Sequence, residues 1–230
     1  MFSLTDAHLG KLAYVEESGD TSHFTSACQV VSDSICSRTA DALHHGLERN
    51  VAVVGNDLLQ TDSPRDQTYT DTQVDVSNRY WNVFKAARDL MVGEIEWLNQ
   101  YAPVTVMVAP GNHDLTANAH LGHVLGAWFS KHPDVTVDAS LRPREYHQFG
   151  RVLLGFTHDN GKKHTNVPQI MASESKQVWA TNLCREWITG HWHRENEKQF
   201  QPSIKDEGVT IRVTPVLDRP DAWHAPKKVS

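Results

Sequence analysis

Five short stretches of this chain carry residue types that hold cations or move protons. They are Asp6-Ala7-His8, Gly55-Asn56-Asp57, Gly111-Asn112-His113-Asp114, Thr157-His158-Asp159 and Gly190-His191-Trp192-His193. Asn offers a neutral oxygen, Asp a carboxylate, and His a nitrogen that serves as ligand, acid or base. Asp6 and His8 stand at i and i+2, as do His191 and His193. On an extended chain that spacing puts both side chains on one face, where they can hold one ion. Asp57 has two oxygens and is the natural bridge between two cations held about 3.5–4 Å apart. The donors are oxygen and nitrogen only, which suits manganese, iron or zinc rather than copper(I) or an iron–sulfur cluster. A lone His in a sheet is usually structural, but five at strand ends beside an acid, an Asn or another His are poorly explained that way. His120 and His123 lack such a setting and read as surface or core-edge residues.

Each stretch follows a short apolar run: Phe2 to Thr5, Val51 to Val54, Val104 to Ala109, Val152 to Phe156, and Trp187 to Thr189. Such runs read as buried parallel strands, and α/β folds place their chemistry at the carboxyl ends of those strands. Gly55 and Gly190 permit tight turns there. Helical spacing predicts a helix over 24–49, capped by Thr21-Ser22, with Phe24, Val31, Ile35, Leu43 and Leu47 inward. A second is expected over 80–100, with Trp81, Phe84, Leu90, Ile95 and Leu98 as its apolar side. A third spans 117–131, with Leu121, Val124, Leu125, Trp128 and Phe129 inward, and a fourth spans 169–180 behind Pro168. Strand, helix, strand implies parallel crossovers. Further strands are expected at 135–137, at Phe200 and at 209–213, the last two antiparallel. Thr61 to Asn78 has no periodicity and reads as a flap on the substrate side, with plain surface disorder as the alternative. Residues 218–230 read as a partly ordered tail.

The order Asp-x-His, Gly-x-Asp, Gly-Asn-His-Asp, strand-end His and Gly-His-x-His resembles the calcineurin-like metallophosphoesterase superfamily, from Asp6 to His193. Gly-Asn-Asp with Gly-Asn-His-Asp is most similar to its DNA-repair exonuclease branch and the compact phage and bacterial relatives. Where the family often continues the second block with an acid or His, this chain has Gln60. The resemblance implies an α/β fold, a four-layer αββα sandwich of two mixed sheets flanked by helices. It implies two divalent ions, manganese favoured over iron or zinc. One would be held by Asp6, His8, Asp57 and His193, the other by Asp57, Asn112, His158 and His191. It implies a hydroxide activated by those ions that attacks phosphorus in line with the leaving oxygen. His113 would be the general acid, with Asp114 orienting its ring; Asp159 would support His158 or stand as a surface carboxylate. The implied activity is a phosphodiesterase or nuclease on DNA, RNA or nucleotides. A broad-specificity phosphomonoesterase is the alternative, and a non-catalytic metal-binding module the third reading.

The 230 residues fit one domain, and 39% hydrophobic with 22% charged residues is ordinary for a globular protein. The net charge of −6 lacks the basic footprint of a protein that coats nucleic acid. No run reaches the ~20 apolar residues of a membrane span, and Met1-Phe2-Ser3-Leu4 does not read as a secretion signal. A cytoplasmic location is therefore expected. Cys28 and Cys36 lie on a predicted helix about 12 Å apart, too far for a disulfide, so reduced thiols are expected.

Overall fold

The computed structural model describes residues 2–3, 5–14, 24–140, 142–158, 166–190, 203–214 and 217. In chain order the elements are β1 (Phe2–Ser3), α1 (Phe24–Leu43), β2 (Asn50–Gly55), α2 (Tyr80–Asn99), β3 (Val104–Ala109), α3 (Leu115–Trp128), β4 (Val135–Asp138), β5 (Glu145–Phe149), β6 (Val152–Thr157), α4 (Val167–Glu174), α5 (Lys176–Thr181), β7 (Cys184–Thr189), β8 (Ser203–Asp206) and β9 (Val209–Val213). They make a mixed α/β fold of two sheets flanked by helices. The first sheet runs β1-β2-β3-β4 and is parallel throughout. The second runs β5-β6-β7-β9-β8, parallel in its middle and antiparallel at both edges.

Side-chain alternation sorts the apolar residues into three clusters. Ala52 and Val54 of β2, with Val104 and Val106 of β3, meet Val31 and Ile35 of α1, Met91 and Ile95 of α2, and Leu121 and Leu125 of α3. The alternate residues Val51, Val53, Met107 and Ala109 point the other way and pack on Leu154, Phe156 and Ile188 of the second sheet. Leu153, Trp187, Val209 and Ile211 leave that sheet on its far side and meet Val167 and Met171 of α4. Strands buried on both faces need apolar residues at every position, which is why the runs are continuous. Register aligns Gly55 with Ala109, and Thr157 with Thr189, so the strands of each sheet end level beside the loops that carry Asn, His and Asp.

Several expectations are corrected. The first helix stops at Leu43 rather than Arg49; a turn follows, with Gly46 at φ 75°, and Leu43 is exposed. Trp81 and Trp128 are 68% and 52% exposed instead of inward. Helix α2 turns Tyr80, Val83, Ala87 and Met91 to the core, and Trp81 lies one position off that stripe. The single helix expected over 169–180 divides at Ser175, whose hydroxyl donates to the Met171 carbonyl. Strand β5 carries Glu, Tyr, His and Gln at a sheet edge and gives no apolar signal. Phe200 and residues 218–230 lie outside the described residues. Cys28, Cys36 and Cys184 form no disulfide. No helix among the described residues is long and apolar enough to cross a membrane.

Candidate metal centre

The loops that follow β1, β2 and β3 are laced together by their backbones. Asp6 N–H donates to the Asn56 carbonyl (2.7 Å), His8 N–H to Asp57 (3.0 Å) and Asn56 N–H to Ala109 (2.9 Å). The lacing forces unusual backbone: Asp6, His8, Asn56 and Asp57 all have positive φ, between 43° and 63°. Left-handed conformations at non-glycine residues cost on the order of 1–3 kcal/mol each and gather where function requires them. The spacing argument for Asp6 and His8 assumed an extended chain, and both residues depart from it. Their side chains still meet, with His8 Nε2 3.8 Å from Asp6 Oδ1.

Two glycines make this approach possible. Gly55 has φ +107°, and a Cβ there would sit 2.1 Å from the Ala109 carbonyl oxygen. A Cβ on Gly111 would sit 2.0 Å from Asp57 Oδ1. The second sheet closes the site from its opposite side. His158, just past β6, places Nε2 2.9 Å from Asp57 Oδ2 and 2.8 Å from Asn112 Oδ1. Gly190, just past β7, is packed so closely that a Cβ would lie 2.8 Å from Asp6 Oδ2.

Two ligand groups result: His8, Asp57 and His113, and Asp6, Asp57 and His158. Within each, the candidate donor atoms lie within 4.8 Å of one another, and Asp57 belongs to both. Asp6, Asp57, His8 and His158 are all buried. Burial pushes the Asp57 carboxyl up, but the hydrogen bond and charge of His158, helped by His113, outweigh it and hold the group below its ordinary value. Burial pulls His158 down, and Asp57 overrides it, leaving the imidazole raised. Carboxylate oxygens and imidazole nitrogens converging in two groups of three, all buried but the half-buried His113, are donors of the kind that suit manganese, iron or zinc.

Asp6, His8, Asp57, Asn112, His113 and His158 are thus brought together from four loops. Asp114 has a different place. It is fully buried, accepts Leu59 N–H on Oδ2 and Asn118 Nδ2–H on Oδ1, both at 2.8 Å, and does not orient His113. Burial, then the charge of Asp57, drives its carboxyl well above the ordinary range. The orienting partner of His113 is the Gln60 carbonyl, 3.0 Å from Nδ1. A carbonyl only accepts, so Nδ1 carries the hydrogen and Nε2 is the ring nitrogen left to act as ligand or base. Gln60 acts through its backbone, which no side-chain pattern announces; Asn118, four residues after Asp114 on α3, carried a detectable helical signal. His191, His193 and Asp159 lie outside the described residues.

The stretch from Thr61 to Asn78 is pinned to this centre. Asp62 Oδ1 accepts Ala117 N–H at the start of α3, and Tyr69 N–H donates to the His113 carbonyl (3.1 Å). Lys11 pairs with Val76 across it. No family model, no curated protein and no solved structure matches the chain.

Proposed function

We propose that this protein is a phosphoester hydrolase dependent on two divalent cations, a phosphodiesterase or nuclease acting on nucleic acid or nucleotides, in the αββα sandwich of the calcineurin-like metallophosphoesterases. The observation that carries the reading is Asp57, buried and common to two ligand groups. One ion would take Asp6, Asp57 and His158 with Asn112 alongside; the other would take His8 and Asp57. By resemblance to the family, His191 and His193 complete the sets. Two such ions would supply charge neutralisation for phosphoryl oxygens and a water acidified toward neutral pH.

The chain's own groups then have definable tasks. Asp57 and the backbone lacing would hold the two ligand groups together. His113, fixed through Nδ1–H to Gln60, presents Nε2. In the imidazolium form Nε2–H protonates the leaving oxygen; in the neutral form the same nitrogen is a ligand beside His8. Elemental analysis of His113→Ala separates these roles. A general acid leaves two ions bound and lowers kcat by about 10²–10⁴, whereas a ligand loses one ion.

Protein reconstituted with manganese is expected to cleave bis-p-nitrophenyl phosphate. Asp57→Asn is expected to lose both ions and turnover together, and a variant that keeps both at full rate would overturn the proposal. A phosphomonoesterase is the second reading, favoured by the net charge of −6; preference for p-nitrophenyl phosphate in the same buffer would select it. Bound metal without turnover on either ester would select the non-catalytic module.

A further inference from the structure

The turn over 68–71 carries one exposed aromatic residue whose backbone is bonded to that of the candidate proton donor. Tyr69 is 53% exposed, although its own N–H is hydrogen-bonded to the His113 carbonyl. Its neighbours Thr70, Asp71 and Thr72 are exposed and polar, so Tyr69 is not part of an apolar patch that packing would explain. The turn is braced from within. Thr68 N–H donates to the Thr72 carbonyl, Asp71 N–H to the Thr68 carbonyl, and Thr72 N–H to Thr68 Oγ1. Thr68 is buried, Asp71 has φ 62°, and Gln67 pairs with Gln73 below. Leaving a large aromatic in water on a preorganised support makes sense when a flat ligand completes its packing.

We infer that Tyr69 is a specificity-determining stacking residue, and that the substrate carries an unstacked nucleobase next to its phosphoester: a mononucleotide ester or short single strand. The inference rests on the phosphoesterase reading for the phosphate's position, and it narrows that reading. A face-on aromatic contact tolerates every base, because each has a π-face. The net charge of −6 supports the short substrate, since affinity cannot come from neutralising many phosphates along a duplex.

The test uses two esters with one leaving group, the p-nitrophenyl ester of thymidine 5′-phosphate and methyl p-nitrophenyl phosphate, on the manganese-loaded full chain. The kcat/KM ratio of the first to the second is expected to fall about tenfold in Tyr69→Ala and to be retained in Tyr69→Phe. A parallel titration calorimetry measurement with thymidine 5′-monophosphate needs no turnover. Affinity is expected to weaken about tenfold in Tyr69→Ala and to persist in Tyr69→Phe. An ester ratio and a nucleotide affinity that both move less than about twofold in Tyr69→Ala overturn the inference, as does wild-type protein that binds no nucleotide. If neither ester is cleaved while the calorimetric difference remains, hydrolysis fails as the function and the stacking site stands.

Discussion

Asp57 is held from three directions: His113 N–H on Oδ1, His158 Nε2 beside Oδ2, and Gly111 pressed against the carboxylate. No side chain larger than hydrogen fits at residue 111 unless Asp57 moves. Gly111→Ala is therefore expected to lose about 1–3 kcal/mol of stability and to weaken cation binding, read by urea unfolding and by metal titration. Asp114 makes a different prediction. Both of its oxygens accept from buried donors, so Asp114→Asn sets an NH2 group against a donor and should cost about 1–3 kcal/mol. A catalytic role alone would leave the urea midpoint where it is. The sequence shows Asp57 readily, because its type, its Gly55 neighbour and the apolar run before it agree. It misleads on Asp114, because adjacency to His113 along a tight loop is not contact: one residue joins the candidate ligand group and the next faces α3.

At the scale of elements, legibility follows burial. Of the strands that end at the site, β2, β3 and β6 are buried along almost their whole length because both faces are covered, β7 only over Trp187–Thr189 after Cys184, Arg185 and Glu186, and those apolar stretches are readable. Edge strand β5 is polar and was not. Helix faces are readable to within one position, which is enough to put Trp81 on the wrong side. Periodicity also passed over Glu94, a carboxylate among the buried residues of α2 that accepts the Ser32 hydroxyl of α1. Burial pushes its carboxyl up, and the Ser32 hydrogen bond only partly offsets that. A raised folded-state value means the folded chain binds the proton more tightly than the unfolded one. The stability from that proton is present at low pH and is lost as pH climbs through the raised value. Glu94→Gln keeps a hydrogen-bonding side chain and removes the ionisation. It is expected to be more stable than wild type near about pH 7, the gap shrinking toward about pH 4, as urea melts at the two pH values would show.

Over the whole molecule, the two sheets are held face to face by a small set of side chains: Val51, Val53, Met107 and Ala109 against Leu154, Phe156 and Ile188. Phe156 is buried two residues before His158, so the same packing that joins the layers also sets the distance from His158 to Asp57. Phe156→Ala is expected to cost about 3–5 kcal/mol and to loosen the Asp6–Asp57–His158 group more than the His8–Asp57–His113 group, which lies wholly on loops of the first sheet. Calorimetric melting and ion content per chain check both parts. This pairing of layers was only partly legible. Apolar runs state that a strand is covered, not what covers it.

The division of the chain between the layers bears on its synthesis. Among the described residues, every strand of the parallel sheet precedes residue 139, and every strand of the other sheet follows residue 144. A ribosome therefore completes one layer, with His8, Asp57 and His113 already in hand, before it makes His158. The two candidate ligand groups are thus unequal in birth order: His8, Asp57 and His113 come with the first sheet, and the group that needs His158 is complete only after the late strands dock and cover the waiting apolar face.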